Sequence, residues 1–353
     1  MRRIFFLLVV VACLASPSWA AGKIQSVTVA RFGQWLAGAH GQPDSRLAKQ
    51  IGAFALTERV SLAQFARWQS DLPGRRSRQA LTALADATVL LAPPPDEILP
   101  DAPPDRDTQS AILSRAHDYV VQTLAHLPDF SAVRTTESFA DIPVPKARFQ
   151  FLHFTGESTF PVSYRNGLET HGEQKANRAN LIPLDNRRMS GIATAGEFGP
   201  ILSIVLDDAT HGSVQWGYWE QSPGGRLAVF RYSVPERQSN YLLSFTQFFL
   251  TAHVVPAYFG ELAIDPATGA IFRISIFTNS VPSANLIESA ITVDYGHVQL
   301  GGRDYICPLK GVALMTTLVD ASQGGTGLRT YVNDTAFTGY SLFRADITIL
   351  PAQ

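Results

Sequence analysis

Two groups of residues combine carboxylates with a histidine at spacings that could support chemistry. Glu169, His171 and Glu173 occupy alternating positions, and residues two apart share one face of a β-strand. Asp207 and His211 are four residues apart and would share one face of a helix. Carboxylate and imidazole groups placed in this way suit a metal ion or acid–base catalysis. A polar edge strand and an exposed helix end explain the same residues without a function, so both interpretations stay open.

The sequence carries none of the short motifs that identify common enzymes and nucleotide-binding proteins. It has no G-x-S-x-G, no H-E-x-x-H, no P-loop and no dinucleotide-binding G-x-G-x-x-G. Gly324-Gly325-Thr326-Gly327 lies between predicted strands, without a helix to present amides to phosphate, which predicts a loop. Cys307 precedes Pro308 at a predicted strand end, and no base stands nearby, which favours a small buried group over a nucleophile. We therefore predict no cofactor and no catalytic residue.

Composition and charge exclude several classes of protein. The chain has 353 residues, of which 46% are hydrophobic and 17% charged, and its formal net charge is −1. A nucleic-acid-binding protein would carry a strong basic excess, so no nucleic-acid partner is predicted. The 2 cysteines cannot build a disulfide framework or a thiolate metal site.

The N-terminus has the features of a secretory signal peptide over residues 1–20. Two arginines precede an apolar run over residues 4–15, which is too short to span a bilayer, and a small-x-small tripeptide ends at Ala20. The four residues ending at Cys13 resemble a lipobox, in which that cysteine would be acylated. Apolar residues follow Cys13, so we expect ordinary cleavage after Ala20 instead. Either route predicts an exported protein, periplasmic or extracellular, with no transmembrane span after cleavage.

Two similar segments follow, and both have helical periodicity. Residues 27–35 read VTVARFGQW and residues 60–68 read VSLAQFARW, at an offset of 33. Each opens with a hydroxyl residue, Thr28 or Ser61, which suits a helix N-cap. Each continues through a Pro/Gly break into a second apolar helical pattern. The repeat predicts two helical hairpins, and thus four helices, over residues 21–92.

The same part of the chain has an excess of basic residues. Residues 21–91 contain nine basic and four acidic residues, so the remainder of the exported chain is acidic. Arg75, Arg76 and Arg78 lie at a predicted helix start, where the helix dipole disfavours cations. These arginines form either a solvated turn or a docking contact, on anionic lipid or on the acidic remainder of the chain.

A proline-rich segment then separates the helical hairpins from the rest of the protein. Residues 93–107 read PPPDEILPDAPPDRD, with six prolines and five acids. This composition predicts a stiff, extended linker that does not pack. Residues 108–127 next predict a helix with a single apolar stripe that includes Val120.

The chain beyond this helix has the pattern of an antiparallel β-sheet. Consecutive strand patterns joined by short turns, such as Asn166-Gly167, residues 265–269 (DPATG) and Gly301-Gly302, predict antiparallel pairing. The predicted strands are 148–154, 162–165, 214–220, 227–234, 241–249, 258–264, 270–278, 287–300, 304–306, 312–319 and 328–337. One helix, at about residues 198–208, interrupts them. Residues 108–353 are thus predicted to form one β-domain with a covering helix.

Aromatic residues alternate onto both faces of these predicted strands. On strict alternation Trp216 and Tyr218 face one side and Trp219 the other. A sheet with one wet face would show cleaner alternation. The fold class predicted is therefore α+β, with a strongly curved antiparallel sheet or half-barrel that holds helices or a ligand on its concave side. The candidate ligand-binding residues are Trp216, Trp219, Phe230, Phe245 and Val120.

Four segments resemble an uncharacterised secreted protein family common in acidobacteria: residues 181–200, 228–232, 264–269 and 293–298. That resemblance implies export and no particular activity. The DPATG turn, followed by the V-D-Y strand and the Gly-Gly hairpin, is similar to the lipoprotein-carrier (LolA-type) fold. That similarity implies a half-open antiparallel barrel that wraps hydrophobic ligands. The helical hairpins and the proline-rich segment depart from the carrier fold and put a simple carrier role in doubt.

These observations predict a non-enzymatic cell-envelope protein whose curved β-domain binds an apolar small molecule, a lipid or an acylated partner. One alternative is an interaction scaffold that binds another envelope protein through the helical repeat. Another is a hydrolase whose site is assembled from residues scattered along the sequence. Bound lipid would favour the first function over the second, and bound metal would favour the third.

Overall fold

The computed structural model describes residues 24–141, 152–165, 168–171, 191–192, 197–247, 250–319 and 327–343. Several predictions fall outside these residues. They are the signal peptide over residues 1–20 with Cys13, the turn at Asn166-Gly167, the candidate Glu173, most of the loop at Gly324 and the strand prediction at residues 148–151.

The described residues form six α-helices and sixteen β-strands. The helices are α1 (Val29–Gly38), α2 (Asp44–Ile51), α3 (Leu62–Ser70), α4 (Arg75–Asp86), α5 (Arg106–His126) and α6 (Pro200–His211). The first eight strands are β1 (Gln25–Val27), β2 (Phe54–Leu56), β3 (Ile98–Leu99), β4 (Phe130–Asp141), β5 (Leu152–Arg165), β6 (Leu168–His171), β7 (Gly191–Ile192) and β8 (Ser213–Ser222). The others are β9 (Gly225–Val234), β10 (Leu243–Gln247), β11 (Leu250–Val254), β12 (Tyr258–Ile264), β13 (Ile271–Thr278), β14 (Leu286–Leu300), β15 (Arg303–Val319) and β16 (Gly327–Leu342).

Residues 24–92, which we call the N-terminal module, contain the four predicted helices. The Thr28 side chain accepts a hydrogen bond from the Arg31 N–H at 3.2 Å, and Ser61 accepts one from the Gln64 N–H at 3.4 Å. The two predicted N-caps are therefore confirmed. The short parallel pair β1–β2 is an addition that the sequence pattern did not predict.

Corresponding helices of the two hairpins pack side by side. The Phe32 ring of α1 lies 5.0 Å from the Trp68 ring of α3. Gly33 allows this approach, because a Cβ at that position would stand 3.2 Å from the Trp68 ring. Asp44, the first residue of α2, accepts a hydrogen bond from the Ser77 N–H of α4 at 2.9 Å, so that α2 and α4 start next to each other.

An eleven-stranded antiparallel sheet occupies most of the remaining described chain. Its strand order is β3-β8-β9-β12-β13-β14-β15-β16-β4-β5-β6, and it ends in the edge strands β3 and β6 without closing. The prediction of an α+β fold with a curved, mostly antiparallel sheet is confirmed. Arg165 of β5 pairs with Leu168 of β6. Gly301 and Gly302 have φ angles of 59° and 81°, as the predicted turn between β14 and β15 needs.

Several strand predictions were wrong in detail. The predicted strands at residues 148–154 and 162–165 are not separate, because residues 152–165 form one strand, β5. Residues 304–306 and 312–319 belong to one continuous strand, β15. Residues 241–249 do not form one strand of the large sheet, because β10 pairs with β11 and β7 in a separate three-stranded sheet. Strand β4 was missed because its sequence, FSAVRTTESFAD, is rich in polar residues and lacks a clear apolar alternation.

A β-bulge at Gly217 corrects the predicted placement of the tryptophans. The register shifts between Trp216 and Tyr218, and a Cβ on Gly217 would lie 2.8 Å from the Val229 carbonyl oxygen. The extra residue returns Trp216 to the face that carries Trp219, with ring centroids 4.8 Å apart. Bulges of this kind also increase the twist and curvature of a sheet.

The prediction that residues 93–107 do not pack is wrong for the first half of the segment, where Pro93 and Pro94 are buried. Ile98 and Leu99 form β3, which pairs with Glu220 and Trp219 of β8 at the sheet edge. The Trp219 Nε1–H donates to the Ala102 carbonyl oxygen at 3.2 Å. Extended backbone is what proline favours, and at a sheet edge such backbone can pair on one side.

The two faces of the large sheet are covered by different parts of the chain. On the inner face, α5 packs through Ile112, Ala116 and Val120, which are all buried, and α6 packs beside it. On the outer face, the N-terminal module contributes Ala83 and Val89 to a cluster with apolar residues of β4, β14, β15 and β16. Both faces are thus covered by protein, which explains why the strands carry apolar residues on both sides.

Candidate functional site

An open groove lies between α5 and the hairpin turns at one end of the large sheet. Its cavity volume is about 530 Å³. Helix α5 lines it with Tyr119, Gln122 and Thr123. The apolar lining from the sheet comprises Leu227, Ala270, Phe272, Tyr305 and Ile306, and the polar lining includes Ser222, Arg226, Asp265, Thr268, His297 and Asp304.

The DPATG turn fixes α5 above this groove. The Arg115 Nε–H donates to the Pro266 carbonyl oxygen at 3.1 Å. Gly269 has φ +80°, and a Cβ there would lie 2.3 Å from the Arg115 carbonyl oxygen. Glycine is therefore needed both for the backbone conformation and for the close contact with the helix. This contact explains part of the motif that resembles the lipoprotein-carrier fold.

The groove continues into a small apolar cavity beneath α5. This cavity has a volume of about 20 Å³ and is lined by Val120, Leu202, Ile271 and Cys307 among others. Tyr119, Thr123 and Ile306 line both the groove and the cavity. The space under α5 is therefore nearly filled in this structure, and the open volume lies beside the helix.

Cys307 is a small buried side chain, as the sequence indicated. It is 1% exposed, and burial, with a smaller contribution from the Asp304 charge, raises the pKa of its thiol to about 12. The thiol stays protonated at neutral pH and is neither a nucleophile nor a metal ligand in this state.

The groove rim carries a histidine–carboxylate pair that sequence analysis passed over. The His297 Nδ1 contacts the Asp304 carboxylate, and the Gln299 side chain donates to the same carboxylate at 2.9 Å. Phe272 lies beside the imidazole, with ring centroids 5.7 Å apart. The Gly-Gly turn in the sequence could have predicted this cluster. Strand pairing across that turn places residues 299 and 304 opposite each other.

The aromatic candidates predicted to bind ligand lie together in the inner-face core and do not line the groove. Trp216 contacts Phe230 at 5.3 Å between ring centroids, and Trp219, Phe230 and Phe245 are 5%, 1% and 2% exposed. Their neighbours in this core are protein side chains. Of the predicted set, Val120 lines the small cavity beneath α5, and none lines the groove.

The predicted metal residues Asp207 and His211 are exposed at the end of α6. The His211 Nδ1 lies 3.1 Å from the Asp207 backbone oxygen, which satisfies a carbonyl at the helix end. The adjacent Asp208 is fully buried and accepts hydrogen bonds from the Asn240 N–H at 2.8 Å and the Tyr258 hydroxyl at 2.7 Å. The buried carboxylate here thus ties α6 to the sheet.

Two of the other predicted metal residues, Glu169 and His171, lie on the edge strand β6. Glu169 pairs with Tyr164 and His171 pairs with Val162 of β5, while Glu173 lies outside the described residues. Across the described ranges, no group of three His, Cys, Asp or Glu side chains lies close enough to hold a metal ion.

A second carboxylate that sequence analysis missed is buried on the inner face near β4. Glu197 is fully buried and lies 3.4 Å from the Arg134 guanidinium. Its backbone oxygen accepts a hydrogen bond from the Tyr295 hydroxyl at 3.0 Å. This ion pair lies away from the groove, since neither charged residue lines it.

Buried ion pairs join the N-terminal module to the outer face of the sheet. The Arg59 guanidinium lies 3.1 Å from Glu220 and 3.4 Å from Glu261, with 8% and 5% of the Arg59 and Glu220 side chains exposed. Arg273 donates to both oxygens of Glu220 at 2.6 Å. Burial alone would raise the pKa of the Glu220 carboxyl, but the two guanidinium groups hold it below its ordinary value.

A second buried group lies farther along the same face. The Lys310 ammonium of β15 lies 3.0 Å from Asp86 of α4 and 2.6 Å from Asp334 of β16. Burial, and then repulsion from Asp334, raises the pKa of Asp86. One ammonium thus serves two carboxylates, one from each side of the interface.

The three clustered arginines, Arg75, Arg76 and Arg78, have different surroundings in the structure. Arg75 forms an ion pair with Glu157 of β5 at 2.7 Å, which confirms for this residue the prediction of docking onto the acidic remainder of the chain. Arg76 and Arg78 remain exposed.

Comparison with known proteins gives little further information. No family profile matches the chain, and no curated protein matches it. The crystal structure of a LolA superfamily protein from Nitrosomonas europaea is similar with 12% sequence identity and a TM-score of 0.30, over 69% of this chain and 97% of that one. A domain from Vibrio parahaemolyticus described as an outer membrane lipoprotein-sorting protein matches with 10% identity and a TM-score of 0.28, over 68% of this chain and 93% of that one. Both descriptions are in line with the loose LolA-type resemblance.

No described helix combines the length and the hydropathy that are needed to cross a membrane.

Proposed function

We propose that this protein is a non-enzymatic envelope protein that binds the apolar part of an amphiphilic ligand, a lipid or an acylated partner, in the groove beside α5. One observation supports this proposal above all. The groove has an apolar lining that includes Leu227, Phe272 and Ile306, and it shares Tyr119, Thr123 and Ile306 with the small apolar cavity beneath α5.

The dimensions and lining of the groove suit such a ligand. Its volume of about 530 Å³ lies within the roughly 300–1,000 Å³ of small-molecule sites, which are mostly apolar with a few polar groups. Here the polar groups stand at the rim, where Arg226, Asp265 and Asp304 can meet a headgroup. An apolar chain would enter first and leave the polar end of the ligand in solvent.

The main prediction concerns a bulky substitution that fills the groove. Titration with the fluorescent fatty acid cis-parinaric acid measures binding to the parent protein and to Thr123→Trp. We expect Thr123→Trp to weaken binding at least about tenfold, because excluding a few methylene groups costs roughly 0.8 kcal/mol each. Val121→Trp is the matched control, since Val121 is 57% exposed on the same helix and does not line the groove.

Equal affinities of the two tryptophan variants would show that the fatty acid binds elsewhere. The proposal would be contradicted if both variants kept saturable binding of the fatty acid, or if the parent protein did not bind the fatty acid at all. Either result would favour the scaffold function. Thermal unfolding of both variants, followed by circular dichroism, separates a filled groove from a destabilised fold.

The hydrolase alternative has one observation in its favour, the His297–Asp304 pair, which lines the same groove as Ser222 and Thr268. A carboxylate that orients an imidazole is one part of a nucleophilic site. Our proposal predicts that His297→Ala keeps fatty-acid binding within about twofold. Hydrolysis of p-nitrophenyl esters by the parent protein that disappears in His297→Ala would establish the hydrolase instead.

A further inference from the structure

Four exposed basic side chains lie along the adjoining helices α2 and α4, with Lys49 in the last turn of α2 and the other three near the helix starts. Arg46 and Lys49 lie three residues apart on α2, and Arg76 and Arg78 lie in the first turn of α4. Asp44 joins the two helix starts, because its carboxylate accepts the Arg76 N–H at 3.1 Å. We call Arg46, Lys49, Arg76 and Arg78 the basic patch.

Asp44 lies within this patch and offsets part of its charge, so four basic groups stand against one carboxylate. Within the ranges that the structure describes, none of its four side chains forms an ion pair with a carboxylate, and Arg78 donates only to the Leu72 carbonyl oxygen, at 3.3 Å.

Two of the other acidic residues of the N-terminal module are engaged away from the patch. Glu58 accepts the Val29 N–H at 2.8 Å, and Asp86 binds Lys310. Among the four acids on residues 29–86, Asp71 alone is classed as exposed.

The basic patch takes no part in the contact between the N-terminal module and the sheet. That contact uses Arg59 and Arg75, which are different residues. No described residue of the module lines the groove, so a partner on the patch would leave the groove open.

We propose that the basic patch docks the protein onto an anionic phospholipid surface. Clustered guanidinium and ammonium groups bind lipid phosphates, and each basic residue near such a surface contributes about fivefold in affinity. The choice of a bilayer over an acidic protein rests on the proposed function, because a protein that binds an amphiphile must meet the membrane that holds it.

Co-sedimentation with vesicles tests this proposal. We expect the full chain to bind vesicles of phosphatidylcholine with about 30 mol % phosphatidylglycerol, and not vesicles of phosphatidylcholine alone. Binding should fall steeply between low and high salt, because salt screens exposed charges. Equal binding to both kinds of vesicle would overturn the proposal.

Charge reversal distinguishes the patch from the net charge of the protein. The triple variant R46E/R76E/R78E should bind anionic vesicles at least about tenfold more weakly than the parent. The control R106E/R237E/R303E makes the same change in net charge at exposed arginines outside the module and should stay within about twofold. Equal losses in both variants would contradict a localised surface.

Two further measurements separate this proposal from the proposed function. R46E/R76E/R78E should keep its affinity for cis-parinaric acid, and Thr123→Trp should keep its affinity for anionic vesicles. Polyglutamate that binds the parent protein when anionic vesicles do not would overturn the membrane proposal in favour of an acidic protein partner, without affecting the groove.

Discussion

The inner and outer faces of the large sheet are both covered, but by contacts of different chemistry. Helix α5 meets the inner face through Ile112, Ala116 and Val120, whose contacts are apolar. The N-terminal module meets the outer face through an apolar patch and through the buried charges of Arg59 and Asp86. One face therefore depends mainly on burial of apolar area and the other also on complete pairing of charges.

This difference bears on what each contact can do. Apolar contacts are non-directional, so a helix held by them can shift to admit an apolar ligand while it keeps part of its burial. A buried charge that loses its partner is strongly destabilising, so the outer contact favours one arrangement. We infer that the contact of α5 with the sheet is adaptable and that the contact of the N-terminal module with the sheet is rigid.

The largest expected effect comes from placing a charge in the inner contact. Val120→Asp should lower the free energy of unfolding by about 4 kcal/mol or more, because Val120 is 4% exposed and an unpaired carboxylate would be buried there. Urea denaturation measures the change. Val121→Asp, at the exposed neighbouring position, should change stability by less than about 0.5 kcal/mol. Similar losses in both variants would show that α5 does not pack as described.

Removal of one charge from the outer contact should have the next largest effect. Glu220→Gln leaves Arg59 and Arg273 without their shared carboxylate and should cost about 3–5 kcal/mol. Urea denaturation again measures the cost, and Glu236→Gln, at an exposed position, is the control. A loss of less than about 1 kcal/mol from Glu220→Gln would mean that the outer contact does not depend on charge pairing.

The sequence predicted the repeating parts of this fold better than its irregular parts. The N-caps Thr28 and Ser61, helix α5 and strand β12 follow from local pattern, because each is set by its own residues and by periodicity. The bulge at Gly217 was not predictable, since it depends on the Val229 backbone of the neighbouring strand. Because of this bulge, Trp216 lies on the opposite face of the sheet from the one that strict alternation predicts.

The site was less predictable than the fold for the same reason. The groove combines Tyr119 and Thr123 of α5 with residues from three hairpins, which no local pattern connects. Glu220 lies in a strand with several aromatic residues, and that sequence predicted apolar packing and no buried ion pair. Its partners Arg59 and Arg273 lie 161 and 53 residues away along the chain.

Acid should weaken the outer contact gradually. The pKa of Glu220 lies below its ordinary value in the folded protein, so the unfolded chain binds the proton more readily and unfolding becomes easier as pH falls. The stabilisation is present above the unfolded carboxyl pKa of about 4.3 and is lost as pH falls through the lower folded value. Urea denaturation from pH 7 to 3 should show a decline that is smaller in Glu220→Gln. An identical decline in both proteins would assign the acid sensitivity to other groups.

The smallest effect concerns the thiol beneath α5. Burial raises the pKa of Cys307 to about 12, so only about one thiol in ten thousand is ionised at pH 8. Reaction with 5,5′-dithiobis(2-nitrobenzoic acid) should be at least about 100-fold slower in the folded protein than in urea. Val120→Ala should speed it by loosening the inner contact, whereas Glu236→Gln should not. Rapid labelling of the folded parent would contradict a closed interior.

The most direct test of the proposed function is to see a ligand in the groove. A crystal structure of the protein with a bromine-labelled fatty acid locates the acyl chain through anomalous scattering of the bromine. We expect the bromine signal between α5 and the sheet, in contact with Phe272 and Ile306, and its loss in Thr123→Trp. A bromine signal confined to the N-terminal module would contradict the proposed function. So would a crystal in which the fatty acid is bound elsewhere and the groove is empty.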